Sequence, residues 1–158
     1  MDSYDFQLVS EWFLPHPSTQ VWEALRTPPQ WPRWWRNVEL AEQIACGQDD
    51  GVGNRYRLCW KSGAPYRLRF VSTVIAVDTG RRILARIDGD LCGRGEWILL
   101  PEGGATRVRY VWQVSLTPRW MRLALPLLRR LFIRNHDRVM DQGCAGLRAH
   151  LAARTGLD

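Results

Sequence analysis

The sequence predicts an α+β fold: a curved antiparallel sheet of about six or seven strands round a long C-terminal helix, with two short helices after the first strand. Three features predict it. Between Arg55 and Leu116 apolar and charged residues alternate with period two, as in strands with one buried and one wet face. Turn signals rich in Gly, Asp and Pro interrupt that pattern. From Thr117 onward the apolar spacing changes to three and four, the helical period.

Each element follows in order. Phe6 to Leu14 reads as the first strand, closed by Pro15 and Pro17. Ser18 is expected to N-cap a short helix that buries Val21, Trp22 and Leu25. Thr27-Pro28 repeats the start signal, so a second short helix is expected to carry Trp31, Trp34 and Trp35, with Pro32 limiting its regularity. Tyr56, Leu58 and Trp60 then oppose Arg55, Arg57 and Cys59. Tyr66, Leu68 and Phe70 oppose Arg67 and Arg69, and Val108, Tyr110, Trp112 and Val114 oppose Arg107, Arg109 and Gln113. The turns fall at Asp49-Asp50-Gly51, Ser62-Gly63-Ala64-Pro65, Asp78-Thr79-Gly80 and Glu102-Gly103-Gly104. A helix running from 118 to 153 would be about 54 Å long, more than this domain accommodates. Pro126 supplies the expected break, leaving a short piece and a main helix from Leu127 to Ala153. Gly143 and Gly146 inside it, each costing roughly 1 kcal/mol against alanine, suggest close approach to the sheet.

Composition narrows the function classes. The 158 residues, 46% hydrophobic, suit one domain over residues 1–158 with a substantial core. Asp2 and Asp5 stand where a signal peptide would be basic, and the run Leu123 to Leu128 is far short of the roughly 20 residues that span a bilayer. A cytoplasmic location is expected. Cys46, Cys59, Cys92 and Cys144 contain no C-x-x-C pair and read as reduced core thiols. The net charge of +6 is carried almost wholly by arginine, Lys61 being the only lysine. Interspersed acids dilute it, so no nucleic-acid partner is expected, only weak contact with anionic surfaces. Nine tryptophans can fill a core or line a cavity; composition does not separate the two.

Several stretches together resemble one known group. They are Val21-Trp22-Glu23-Ala24-Leu25; Trp31-Pro32-Arg33-Trp34-Trp35; Gly51-Val52-Gly53-Asn54-Arg55-Tyr56; Gly89-Asp90-Leu91 with Gly93, Gly95 and Trp97; Thr106-Arg107-Val108; and Asn135-His136-Asp137. With the element order, they resemble the helix-grip fold of the START-like (SRPBCC) superfamily, in particular its bacterial polyketide cyclase/dehydrase and lipid transport group. That resemblance implies a cavity between the sheet and the long helix. It would be lined by Tyr56, Leu58, Trp60, Tyr66, Leu68, Phe70, Trp97, Tyr110 and Trp112 from the sheet. The helix would add Phe132, Asn135, His136 and Val139, while Trp31 and Trp35 would form a rim or lid. No cofactor is implied.

Individual candidates carry two readings each. His136 can act as acid or base near neutral pH, or it can be a structural imidazole; no histidine or cysteine at i+4 completes a metal site. Asp88 and Asp90 share a strand face with Arg86 and Leu84. Facing inward, Arg86 and Asp90 would form a polar spot or an acid/base pair; facing outward they are solvated charges, with Ile83, Ala85 and Ile87 buried instead. Gly89, Gly93 and Gly95 fit a bulge or tight bend, and Gly51 with Gly53 is no dinucleotide loop because no long helix follows. The basic, apolar stretch Trp120 to Arg134 packs on the sheet in one reading and touches an anionic membrane in the other. The resulting expectation is a binding protein for a hydrophobic or aromatic (lipid or polyketide-like) small molecule. A cyclase or dehydratase that works by positioning and by acid/base catalysis through Asp90, Arg86 or His136 is the alternative.

Overall fold

The computed structural model describes residues 3–63 and 65–156. Asp2 and Ala64, used in the readings above, lie outside the described residues. Seven strands form one antiparallel sheet: β1 Phe6–Leu14, β2 Val38–Ala45, β3 Arg55–Lys61, β4 Arg67–Asp78, β5 Arg82–Gly89, β6 Leu91–Glu102 and β7 Ala105–Leu116. Their spatial order is β1-β7-β6-β5-β4-β3-β2, so the two strands nearest the N-terminus sit at opposite edges. Helix α1, Ser18–Leu25, and a 3-10 helix, Pro28–Arg33, bridge those edges, and helix α2, Arg119–Thr155, closes the fold.

Alternation sets which face is buried. Tyr56, Leu58 and Trp60 of β3, Trp97 and Leu99 of β6, and Val108, Tyr110, Trp112 and Val114 of β7 are all buried on the concave side. The convex side carries cross-strand ion pairs that offset much of the arginine charge locally: Arg57 with Glu42 at 3.0 Å, Arg67 with Glu39, and Arg107 with Glu102 at 2.8 Å. These exposed pairs are worth little individually. Gly93 is required by its neighbour strand. At φ 145°, a Cβ there would lie 2.0 Å from the Gln113 carbonyl oxygen, which agrees with the tight bend expected of this glycine run.

Local cap signals were poorer guides. Ser18 is the first helical residue rather than the cap; Pro17 occupies the cap position and no side chain bonds to the first turn. The second short helix ends at Arg33, and Trp34 and Trp35 fall beyond it. Thr27 does occupy the cap position of the 3-10 helix, with proline following as expected, but its hydroxyl donates to the Glu23 carbonyl at 2.8 Å rather than bonding to the first turn.

The expected break at Pro126 does not occur. Helix α2 runs unbroken for 37 residues, about 55 Å. Proline forfeits one backbone bond, but Pro126 and Arg122, whose carbonyl loses its donor, are both exposed, where water replaces the missing N–H. Buried Met121 and partly buried Leu125 hold the segment before the proline against the core.

The glycines of α2 also serve a contact other than the one expected. A Cβ on Gly143 would lie 2.4 Å from the Trp35 ring, and one on Gly146 would lie 1.8 Å from the Trp34 carbonyl oxygen. The close approach is therefore to the chain segment after the 3-10 helix, not to the sheet. Of the four cysteines, all unbridged, Cys59 is buried and Cys144 half-buried, whereas Cys46 and Cys92 are exposed and do not contribute to the core. No helix among the described residues is long and apolar enough to cross a membrane.

Candidate functional site

The space between sheet and helices is divided by tryptophan. Trp35 has no exposed surface, and its indole N–H donates to the Val139 carbonyl of α2 at 2.9 Å. Its ring meets Trp60 edge-on at 4.6 Å and Trp12 at 5.3 Å, and stacks on Trp34 at 5.4 Å. Trp31 joins the cluster, 5.7 Å from Trp35, with its N–H donated to the Ala24 carbonyl at 3.1 Å. Edge-to-face aromatic pairs each add about 1 kcal/mol beyond burial. Trp35, expected at a rim and among the ligand-contacting residues, is instead the centre of a buried tryptophan cluster and lines neither cavity.

The first cavity lies toward α1 and the loop 50–54. It has an empty volume of about 710 Å³, counting the part open to solvent. Tyr56, Leu58, Trp60, Phe70, Trp97 and Tyr110 line it, together with Ile83, Ala85 and Ile87 of β5. Trp22, Leu25 and Trp31 from the bridging segment close one side. Some of its polar groups are satisfied within the protein: the Asn54 amide donates to the Tyr56 hydroxyl at 3.2 Å, and the Asn54 oxygen accepts from the Gly47 N–H at 2.8 Å; the indole nitrogens of Trp22 and Trp60 are buried without a partner. Burial raises the pKa of Tyr56, with the Asn54 bond acting in the opposite sense.

The second cavity, about 520 Å³ including its open part, lies between β3, β4, β7 and α2. Trp60 and Tyr110 form the wall common to the two cavities. Tyr66, Leu68, Trp112, Phe132 and Val139 supply the apolar lining, and Asn135 and His136 point into it from one face of α2. Both are about nine-tenths buried, and Asp137 turns outward.

Here the unsatisfied polar groups are more numerous. The Trp60 indole nitrogen, the Ser62 hydroxyl, the Asn135 amide nitrogen and both ring nitrogens of His136 are buried without a hydrogen-bond partner in the protein. The nearest carboxylate oxygen to His136, on Asp137, is 3.5 Å from Nδ1 and outside hydrogen-bond geometry. Buried polar atoms are almost always paired, and four residues that break this rule line one apolar space. The Tyr110 hydroxyl accepts from the Trp112 indole N–H, and burial pushes the Tyr110 pKa far up, keeping the phenol neutral.

Burial also lowers the pKa of His136, and the Asp137 carboxylate only partly opposes it. The imidazole is therefore neutral at pH 7, with one donor and one acceptor nitrogen. A histidine that resists protonation when folded costs stability in acid: the unfolded chain takes up the proton first. Stability should fall as the pH drops from about 6.5 toward the lowered folded value. Chemical denaturation at pH 5 and pH 8 should show a smaller loss in His136→Leu than in the wild type; equal losses would rule out this origin.

Arg86 and Asp90 are not in either cavity. Arg86 pairs with Asp88 at 2.9 Å on the convex face, both side chains being 58% exposed. Asp90 lies past the end of β5, where its carboxylate accepts from the Arg69 N–H at 2.9 Å and its carbonyl from the Thr117 N–H at 2.9 Å. Strand parity turns Ile83, Ala85 and Ile87 inward, the outward alternative left open by the sequence. Two features escaped the sequence reading: Ser62 and Lys61 at the end of β3, and Asn54 before it. A short polar residue next to a turn gives no signal of pointing into a cavity.

Comparison with known proteins follows the same outline. The sequence matches the family described as polyketide cyclase / dehydrase and lipid transport over residues 6–152. No curated protein matches the chain. In fold it is similar to the protein TTHA0849 from Thermus thermophilus, at 22% identity and a TM-score of 0.74, covering 92% of this chain and 99% of that one. It is also similar to a START superfamily protein from Mycobacterium smegmatis, at 12% identity and a TM-score of 0.72, covering 93% and 97%. The Zhui aromatase/cyclase from Streptomyces sp. R1128 is similar too, at 15% identity and a TM-score of 0.68, covering 92% and 95%. With the family's sequence pattern over nearly its whole length and a helix-grip arrangement of seven strands around one long helix, the chain belongs to the polyketide cyclase / dehydrase and lipid transport family.

Proposed function

We propose that the protein, acting as one ligand-binding domain, holds a hydrophobic or aromatic small molecule in the second cavity. We further propose that an oxygen-bearing end of the ligand meets Trp60, Ser62, Asn135 and His136. The observation that carries this reading is the convergence of buried, unpartnered donors on an otherwise apolar space. Trp60 and Asn135 offer only N–H donors from the atoms concerned, and Ser62 and His136 offer a donor and an acceptor each, so a carbonyl or hydroxyl oxygen suits the set. An unsubstituted hydrocarbon would leave those groups unpaired, a penalty comparable to a lost hydrogen bond.

Calorimetric titration with naphthol and with naphthalene tests this. Naphthol should bind and naphthalene should bind more weakly. Asn135→Leu and His136→Leu should each weaken naphthol binding by about tenfold and leave naphthalene nearly unchanged. Binding of neither compound, or equal binding of both to all three proteins, would refute the assignment.

A second reading, cyclase or dehydratase chemistry on a polyketide-like substrate, is favoured by one observation. Neutral His136, with both nitrogens free of protein partners, can accept a proton at one nitrogen and release one from the other. The apolar walls would hold a flexible substrate in a reactive pose.

A further inference from the structure

The first half of α2 has a face that the fold leaves uncovered. Trp120, Leu123, Leu127 and Leu131 are spaced three, four and four residues apart and so share one side of the helix. They are 57%, 83%, 89% and 45% exposed. Contiguous apolar exposure on that scale marks an interaction surface. We propose that this face docks the protein on an anionic lipid surface.

Charge identifies the occupant. Arg119, Arg122, Arg129, Arg130 and Arg134 lie in the same stretch, all exposed, and no acidic residue occurs from 119 to 136. Among the described residues none of the five forms an ion pair. Arg129 is already engaged, donating to the Asp5 carbonyl at 2.9 Å above the Phe6 ring, which leaves Arg119, Arg122, Arg130 and Arg134 available. Leucines at the level of acyl chains with arginines at the level of headgroups is the arrangement of an interfacial helix. A second copy of this chain would bring the same arginines against each other, so self-association through this face is disfavoured by like charge.

The face is also continuous with the interior. An apolar groove of about 330 Å³, counting the part open to solvent, lies beside it, lined by Leu116, Met121, Leu125, Leu128, Tyr66 and Phe132. Those two rings, parallel at 6.4 Å, also line the second cavity. A lipid surface held here would stand beside the apolar path to that cavity. The docking itself does not depend on what the cavity binds.

Co-sedimentation of the full chain with vesicles of phosphatidylcholine alone, and of phosphatidylcholine with an equal part of phosphatidylglycerol, tests the proposal. Binding is expected to the anionic vesicles, to weaken with added salt, and to be at least tenfold weaker on the neutral ones. Leu123→Gln/Leu127→Gln and Arg130→Gln/Arg134→Gln should each reduce binding on the order of tenfold with an unchanged thermal melt, because all four side chains project into water. Equal binding to both vesicle types, full binding by either variant, or dimerisation lost in Leu123→Gln/Leu127→Gln without vesicle binding would each overturn it.

Discussion

Gly146→Ala is expected to lower the melting temperature by about 6 °C, although alanine is the better helix former by about 1 kcal/mol. The added methyl would sit 1.8 Å from the Trp34 carbonyl oxygen, a backbone atom with no rotamer through which to retreat. The Trp35 ring next to it is fully buried and already fills the space over Gly143, so the 34–35 segment cannot shift away. Either α2 or that segment must move, and overpacking of this kind costs about 3 kcal/mol. Gly104→Ala, where nothing lies within 4 Å of the new methyl, serves as the control. If Gly146→Ala melts at or above the wild-type temperature, the helix does not depend on this contact.

Trp35→Ala should cost about 4 kcal/mol in denaturant unfolding. It removes ring contacts to Trp12, Trp31, Trp34, Trp60 and Trp97 together with the hydrogen bond to the Val139 carbonyl. The consequence for function is separate from the loss of stability. Trp35 braces Trp60, which forms part of the wall between the cavities, so the variant should admit ligands too long for the second cavity alone. Trp35→Phe, which keeps an aromatic ring, should recover much of the stability. An Ala variant as stable as the wild type would show that Trp35 is not a structural support.

Both predictions concern a segment whose local signals were misleading. Trp31, Trp34 and Trp35 were visible as a cluster, but a proline-bounded start signal suggested one helix carrying all three. The 3-10 helix stops at Arg33, and what places Trp35 is its bond to Val139, 104 residues away. The same holds for Gly143 and Gly146. Their smallness announced a close approach, while the partner could be known only after the chain had folded back. On β5, Leu84, Arg86 and Asp88 alternate with Ile83, Ala85 and Ile87 in a pattern either face of the strand could satisfy. Pairing with β4 and β6 selects the inward set.

Period-two alternation in β3 and β7, the turn residues between strands and the helical spacing after Pro118 were enough to determine the sheet, its aromatic concave side and the long helix over it. Such patterns are local: a side chain's face follows from its neighbours two, three or four positions along. Tertiary structure alone decided three things: that α2 continues through Pro126, that the aromatic interior is parted into two cavities, and that Trp60, Ser62, Asn135 and His136 converge on one of them. Each depends on contacts between residues far apart in sequence, where loop closure and packing, rather than spacing, choose the partner.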